Sequence, residues 1–423
     1  MLSHEDNERL VRVGRATPAG ALFRRYWQPA LLSAELPAPD CAPVRVRLLG
    51  EDLIAWRDSS GRAALTGAFC PHRRAPLFFG RNEECGIRCV YHGWKFDADG
   101  ACTDLPTEAP GSPMRNHVRI DAYPTVERAG IVWAYLGPAE LAVPPPDYEF
   151  TRVPAAHLHV TKTFQASNYL QALEGGLDTA HSSYLHNNRL GDTSYLRNRD
   201  GAPKIEVIRT DYGYCYTSDR DAGEDGRYFR VYHYIMPAIQ LRGNLTSRTG
   251  GPAKVPKIDG HVWVPVDDET CCIYNFAYTD DASSSFSAQY RHEFDTDYGR
   301  APEDFIEGTF WLKRNAGNDY LIDREMQRTQ TYTGIKGINT QDMALQEGMG
   351  AIVDRSTEIL GSTDRAIVTM RRMLLDATRA VERGETPPGA DPISHRDVRP
   401  HDGMIRHGSN WRDEVGDKIH AKW

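Results

Sequence analysis

The sequence predicts an α+β chain: an all-β domain over residues 41–146, then a larger domain over 147–389 whose antiparallel sheet curves around a helix. Three observations carry that reading. Short strand-like runs flank a pair of Cys/His loops in the first part. Four prolines between Gly137 and Pro146 break the chain. Beyond them a helix-like run gives way to long strand-like runs.

Residues 1–40 read as a lead-in. From 16 to 37, aromatic and apolar residues are broken by Pro18, Pro29 and Pro37, which predicts an irregular segment packed on the body. Residues 44–49 and 52–58 read as short strands, the second ended by the turn Ser59-Ser60-Gly61. Residues 94–100 form a strand ending at Asp99-Gly100, and 131–137 close the all-β domain.

Between these strands lies the stretch 69–94, with Cys70-x-His72, then Cys89-x-x-His92, then Gly93-Trp94. Pro71, Pro76, Gly80 and Gly86 are the turn formers expected where backbone approaches a bound group closely. One thiol and one imidazole per loop suit a two-iron, two-sulfide centre of mixed ligation. The thiolates hold one iron and the imidazoles the other, which raises the potential above that of an all-Cys cluster. A Cys2His2 zinc site is the alternative, but zinc motifs pair Cys with Cys and His with His at short spacing. Cys85 has no matching His in its loop and reads as a bystander thiol.

With 423 residues the chain can bury a substantial core. A net charge of −8, with no Lys/Arg-rich block, excludes a nucleic-acid footprint. The charged N-terminus lacks an apolar signal core, and no apolar run is long enough to span a bilayer, so neither secretion nor a membrane is expected. Eight cysteines in this length are no disulfide framework; those outside the cluster, Cys271-Cys272 included, read as reduced thiols of a cytoplasmic protein.

In the second domain residues 168–185 read as a helix, although Gly175-Gly176 costs about 1 kcal/mol per Gly relative to Ala. The glycine pair marks a kink or the close approach of another element. Residues 212–218, 228–236, 261–266 and 271–278 read as antiparallel strands, the last two joined at Asp267-Asp268-Glu269. Residues 304–317 and 340–356 read as helices. The clearest helix is 364–383, with Ile367, Met370, Leu374 and Val381 near helical spacing, Ser362 or Thr363 as cap, and Gly384, Pro387 and Pro388 beyond its end. Residues 390–423 read as a polar extension laid over the surface.

Glu174, Asp178, His181 and His186 fall within thirteen residues. On a helix Asp178 would share one face with both Glu174 and His181. His181 and His186 would stand about 140° apart, so they can bind one ion only if the helix ends or loosens between them. Alone, such a pair is more simply a surface or core-satisfied pair. Beside a one-electron centre it suits the partner site, a mononuclear iron held by two His and a carboxylate with positions open for dioxygen.

Together these motifs resemble the oxygenase (alpha) component of the Rieske non-haem iron oxygenases. Cys70-x-His72-Arg73 with Cys89-x-x-His92-x-Trp94 is similar to the family's cluster signature, and Asp178-Thr179-Ala180-His181-x4-His186 to its iron-site helix, in matching order and separation. Segments 17–37 and 319–356 resemble the phthalate dioxygenase-like branch. The resemblance implies an all-β Rieske [2Fe-2S] domain followed by a helix-grip catalytic domain. It implies a Rieske cluster on Cys70, His72, Cys89 and His92, and a mononuclear Fe(II) on His181, His186 and a downstream carboxylate. Asp342 matches that carboxylate; Asp319 and Asp323 compete, with surface ion pairing as their plainer role, and Glu347 orients the helix.

The resemblance makes Asp178 an intersubunit electron-transfer bridge between a cluster His and an iron-ligand His of the next subunit. A helix cap or salt bridge is its alternative, and Gly175-Gly176 would let that neighbour approach. Asn168, at the head of the matched segment, is carried over as a catalytic residue, and Arg242 is a candidate anchor for substrate, an ordinary strand-edge ion pair being its alternative. Also implied are O2 as co-substrate, an aromatic acid substrate, and a homotrimer or stacked trimers arranged head to tail. The chain shows neither a Gly-x-Gly-x-x-Gly nor a plant-type ferredoxin Cys run, so a separate NAD(P)H-dependent flavin/iron-sulfur reductase is implied too. Ring hydroxylation is the expected reaction, and oxidative O-demethylation of a methoxylated or lignin-derived biaryl acid the alternative. A Rieske electron carrier or a zinc-binding structural protein would leave Asp178, His181, His186 and Asp342 without a role.

Overall fold

Turn chemistry sets the small sheets of the first part. In the computed structural model, which describes residues 2–423, Val44–Leu48, Glu51–Arg57 and Ala63–Gly67 form a meander with Ala122–Tyr123 at its edge. A second antiparallel sheet is built from Arg81–Glu83, Gly86–Arg88, Lys95–Phe96 and Cys102–Asp104. One Cys/His loop leads into this sheet and the other joins its second and third strands. Ile54, Trp56, Leu77, Ile87, Trp94 and Phe96 form a local core beneath both loops, with Cys70 and Cys89 buried in it.

The lead-in is more ordered than its prolines suggest. Thr17 caps a helix, Pro18–Phe23, with Pro18 in its first turn, where a missing N–H costs nothing. Trp27–Leu32 is an edge strand paired with Ile131–Tyr135, and its register shifts between Pro29 and Leu31. An edge and a bulge are the places where a strand tolerates proline. Ile131–Tyr135 therefore pairs with the lead-in and with Thr125–Arg128 rather than with the cluster sheet.

The second part is built on an eight-stranded antiparallel sheet in the order Leu158–Gln165, Cys271–Thr279, Pro252–Pro265, Ile239–Thr246, Arg227–Ile235, Gly213–Asp221, Lys204–Arg209. The polar tail is not merely draped over it. His401–Ile405 pairs with Arg227–Val231 where Ile239–Thr246 peels away, and so becomes the eighth strand. Arg365–Glu382 buries Ile367, Met370 and Leu374 in the main core with the sheet, and the Tyr214 hydroxyl donates to the Ala366 carbonyl at 2.8 Å. Its first turn is a tight Ser362–Asp364 segment. Asp364, not Ser362 or Thr363, meets the exposed Gly361 N–H.

Residues 304–317 form no α-helix; only short 3-10 turns touch the two ends of the stretch. Gly308 adopts φ +71°, the chain doubles back, and Phe305 bridges Leu312. The downstream helix is Ile338–Gly348 only; Gly350, at φ +93°, leads away from it. No helix among the described residues is long and apolar enough to cross a membrane.

A buried ionic knot ties the helix Tyr169–Leu177 to Arg365–Glu382 through the segment 355–358. Glu174 accepts from Arg355 Nε at 2.9 Å and Arg371 Nε at 2.7 Å, and Arg371 also pairs with Glu358. Burial alone would raise the Glu174 carboxyl; Arg355 and Arg371 outweigh it and hold the group below its ordinary value. The stabilisation is therefore full above the ordinary Glu value of about 4.3 and fades as pH falls through the depressed one. Glu174→Gln should cost about 3–5 kcal/mol by leaving two guanidiniums buried without full compensation. A urea titration at neutral pH reads this as a lowered midpoint; an unchanged midpoint would deny the knot its structural role.

Candidate active site

The Cys/His loops have one shape, used twice. The Cys70 N–H donates to the carbonyl five residues on (Ala75, 2.9 Å), and its carbonyl accepts from Arg74 N–H at 2.9 Å. Cys89 repeats both bonds with Trp94 at 2.8 Å and Gly93 at 2.9 Å. The fifth residue of each loop, Arg74 or Gly93, takes φ of 60° or 75° to close the turn. The loops carry two buried thiols and bring the His72 and His92 rings to 4.4 Å between centroids. Trp94 stacks on His72 at 4.4 Å and 9°, held by an indole N–H bond to Thr107. Burial pushes the Cys70 thiol up to about 11, offset in part by the His72 N–H and reinforced by Cys89. Two thiols held together on one side and two imidazoles on the other fit a two-iron cluster of mixed ligation. Cys85 is exposed, unlike the buried Cys70 and Cys89.

The second site forms where the predicted helix stops. The helix is Tyr169–Leu177, and Asp178 ends it in extended conformation, so His181 and His186 lie on a looser turn beyond. His181 Nε2 and His186 Nε2 approach to 3.1 Å, and Asp342 Oδ1, from Ile338–Gly348, lies 3.5 and 3.4 Å from them. Ligands about 2.0–2.2 Å from one ion, at angles near 90–105°, stand about 3.0–3.5 Å apart. The proton positions agree. The Gln341 amide donates to Asn188 Oδ1 and to the Ile335 carbonyl, which turns its Oε1 to His186 Nδ1 at 2.8 Å. His186 thus carries its proton on Nδ1 and presents a lone pair at Nε2. His181 Nδ1 faces Asp178 Oδ2 at 3.5 Å and has no closer partner. Burial opposes a charge on His181, yet Asp178 and Asp342 leave its imidazole above the ordinary value. The donor set fits one cation.

A cavity of about 190 Å³ opens onto these three donors. Arg197, Arg230, Tyr228, Tyr232, His261 and Trp263 share its wall. Neither Arg197 nor Arg230 has an ion pair among the described residues. Burial, and then Arg230, push the Arg197 guanidinium below its ordinary value.

Several expectations change. Asn168 stands outside the cavity wall: it is fully buried, caps its helix through Leu170 N–H, and donates to the Val11 and Asp268 carbonyls. Gly175 and Gly176 make room within the chain rather than for a neighbour. A Cβ at either would stand 2.0 Å from Gln346 or 2.2 Å from Trp263. Arg242 lines the cavity, but Asp259 on the adjoining strand neutralises it, and its strand lies inside the sheet rather than at an edge. Asp323 caps the helix Arg324–Thr329, and Asp319 lies outside the three-donor group. Glu347 anchors its helix to Ala166 N–H and Tyr320. Arg197, Arg230 and Gln341 went unnoticed in the sequence. Only Gln341, beside Asp342, carried any local signal.

Comparison with known proteins agrees with this geometry. Residues 26–124 match the Rieske [2Fe-2S] domain model, and residues 134–422 the model described as LigXa C-terminal domain like. The chain belongs to the Rieske non-haem iron oxygenases. This Rieske oxygenase is 38% identical to the 3-chlorobenzoate-3,4-dioxygenase oxygenase subunit of Comamonas testosteroni, covering 92% of this chain and 91% of that one. It is 36% identical to the phthalate 4,5-dioxygenase oxygenase subunit of Pseudomonas putida, over 98% and 94%. It is also similar to the 5,5'-dehydrodivanillate O-demethylase oxygenase subunit of a Sphingobium species, at 31% over 100% and 92%. Dicamba monooxygenase bound to dicamba shares the fold, with a TM-score of 0.62 at 21% identity over 86% of this chain and 99% of that one. The family's cofactors are a Rieske [2Fe-2S] cluster and a mononuclear iron, used with O2.

The purified protein should hold about three irons and about two acid-labile sulfides per chain. Asp342→Ala should lose about one iron and keep all the sulfide, as read by metal and sulfide analysis. Retention of all the iron would take Asp342 out of the site.

Proposed function

We propose that this Rieske oxygenase is the terminal component of a multicomponent system that hydroxylates the ring of a single-ring aromatic carboxylic acid. One observation carries the reading: Arg197 and Arg230, unpaired, share a cavity with His181, His186 and Asp342. A bound carboxylate would supply the missing counter-charge, and charge-assisted bonds to a guanidinium fork orient it. Tyr228, Tyr232 and Trp263 offer ring faces beside it, and Arg230 already lies 4.8 Å from the Tyr232 centroid. The volume exceeds the roughly 150 Å³ that holds benzene, so it suits one substituted ring better than two. The names of the chlorobenzoate and phthalate enzymes point to the same substrate class and to the phthalate dioxygenase-like branch.

His181, His186 and Asp342 would hold a ferrous ion that supplies the dioxygen chemistry, and Cys70, His72, Cys89 and His92 a cluster that supplies electrons one at a time. Arg197 and Arg230 bind the carboxylate and fix which ring edge faces the three donors. Asp178 keeps the His181 proton on Nδ1, and we assign it the bridge to a cluster His of a second copy. Exposure supports such docking: Phe79, Val90 and Tyr91 lie open around the His72/His92 loops, and Tyr184 and Tyr332 stand open at 5.6 Å from each other just beyond His181. The proposed assembly is a head-to-tail trimer, single or stacked, and a separate NAD(P)H-dependent flavin/iron-sulfur reductase feeds it. O-demethylation of a methoxylated acid is the second reading, supported by the Sphingobium relative.

With a surrogate reductase, NADH and a panel of phthalates, halobenzoates and methoxybenzoates, oxygen uptake should yield a diol without formaldehyde. Formaldehyde in step with oxygen would establish the demethylase reading, and no turnover with any acid would refute both. Arg197→Gln should raise KM by about 10- to 150-fold, the equivalent of about 1.5–3 kcal/mol, with kcat little changed; an unchanged KM would remove the anchor. Asp178→Asn should keep both metal centres while turnover falls by at least about 10–100-fold. Normal turnover would end the bridging role.

A further inference from the structure

Arg220, on Gly213–Asp221, is a buried guanidinium with no carboxylate partner among the described residues. Its Nη2 donates to the Thr179 carbonyl at 2.6 Å. Its Nη1 donates to Ser183 Oγ at 2.9 Å and to the Asp200 carbonyl. Thr179 and Ser183 stand two residues before and two residues after His181, and both are buried. Asp200 ends the helix Leu196–Arg199, which carries Arg197. One side chain thus reaches both flanks of the His181 turn and the segment that bears the unpaired cavity arginine.

We infer that Arg220 is a positioning residue, which holds the His181 turn in its ligating shape and ties it to the segment bearing Arg197. The turn needs such a tie. The helix has ended at Leu177, and only one tight turn, closed by the Tyr184 and Leu185 N–H groups on the His181 carbonyl, runs between His181 and His186. Only a rigid fork of donors reaches acceptors on two sides at once; a lysine would present a compact point charge instead. Other buried guanidiniums are neutralised, as Arg355, Arg371 and Arg399 are by Glu174, Glu358 and Glu149. Arg220 has neutral acceptors only, so its charge strengthens the bonds that fix the turn. The tie to Arg197 rests on the substrate reading above; the hold on His181 does not.

Arg220→Gln and Ser183→Ala, each prepared as intact iron-loaded protein, test the inference. Two readouts serve: the rate at which a chelator removes the mononuclear iron, and the EPR signal of that ferrous site with nitric oxide. Both variants should keep wild-type sulfide content and an unchanged cluster signal. Arg220→Gln should release the mononuclear iron several-fold faster, less than the about 10–100-fold typical of a residue bonded directly to a ligand, and shift the nitrosyl signal. Ser183→Ala should move both readouts the same way by less, and Arg220→Lys should restore only part. Wild-type release and an unaltered nitrosyl signal in Arg220→Gln and Ser183→Ala would overturn the inference. If Arg220→Gln does not fold, Ser183→Ala decides alone. Phthalate and 3-chlorobenzoate added to the wild-type nitrosyl complex test the substrate reading separately: a signal that neither moves refutes that reading and leaves the release rates to judge the clamp.

Discussion

Three electron pairs aimed at one point repel unless a cation lies between them, and this chain aims three. His181 Nε2, His186 Nε2 and Asp342 Oδ1 converge within 3.5 Å of one another from two separate elements. Much of the second part is arranged to make that convergence hold. The helix must stop at Leu177 so that the two imidazoles can turn toward each other. Gly175 and Gly176 let Gln346 and Trp263 press against the helix, which brings Ile338–Gly348 close enough for Asp342 to reach in. Gln341 sets the tautomer of one imidazole while its neighbour Asp342 faces the ion. Outer partners of this kind orient the ligands of a metal site and tune it.

Most of the arginines without a carboxylate partner that the fold encloses stand near the cavity. Arg355, Arg371 and Arg399 are matched by carboxylates and serve the fold. Buried Arg220 and Arg230 and half-buried Arg197 have no carboxylate partner among the described residues and gather around the cavity and the His181 turn, whereas Arg25, also buried and unmatched, lies in the lead-in. A protein of net charge −8 that concentrates unpaired positive charge in one cavity sets a local field opposite to its overall one. Such a field suits an anion that binds, and the aromatic acid proposed here would supply it. A neutral substrate would leave the cost of burying those guanidiniums without a return.

Where recognition was local, it was readable from residues alone. Cys70-x-His72 and Cys89-x-x-His92 each complete a loop within a few residues, and the structure gives both loops the same closing bonds. Asp178, His181 and His186 were visible as a group, although their expected helical geometry was not the one adopted. Asp342 came from resemblance, since nothing local joins it to residues about 160 positions earlier. Asn168 shows the limit of carrying a motif over: it belongs to the matched segment because it caps the helix. Arg197 and Arg230 were unreadable for a related reason. An unpaired arginine differs from a paired one only in what the fold places beside it, and sequence does not show that. The expected helix at 304–317 failed on Gly308, whose left-handed turn outweighed the apolar residues around it. The lead-in strand was hidden by Pro29, which an edge position accommodates.

Crystals of the purified protein, measured on either side of the iron and of the zinc absorption edges, test the central claim most directly. The account predicts three iron peaks per chain. Two should lie together between Cys70, Cys89, His72 and His92. The third should stand alone, about 2.0–2.2 Å from His181 Nε2, His186 Nε2 and an Asp342 oxygen. A single zinc-edge peak among the Cys and His residues, with no density between His181, His186 and Asp342, would contradict it.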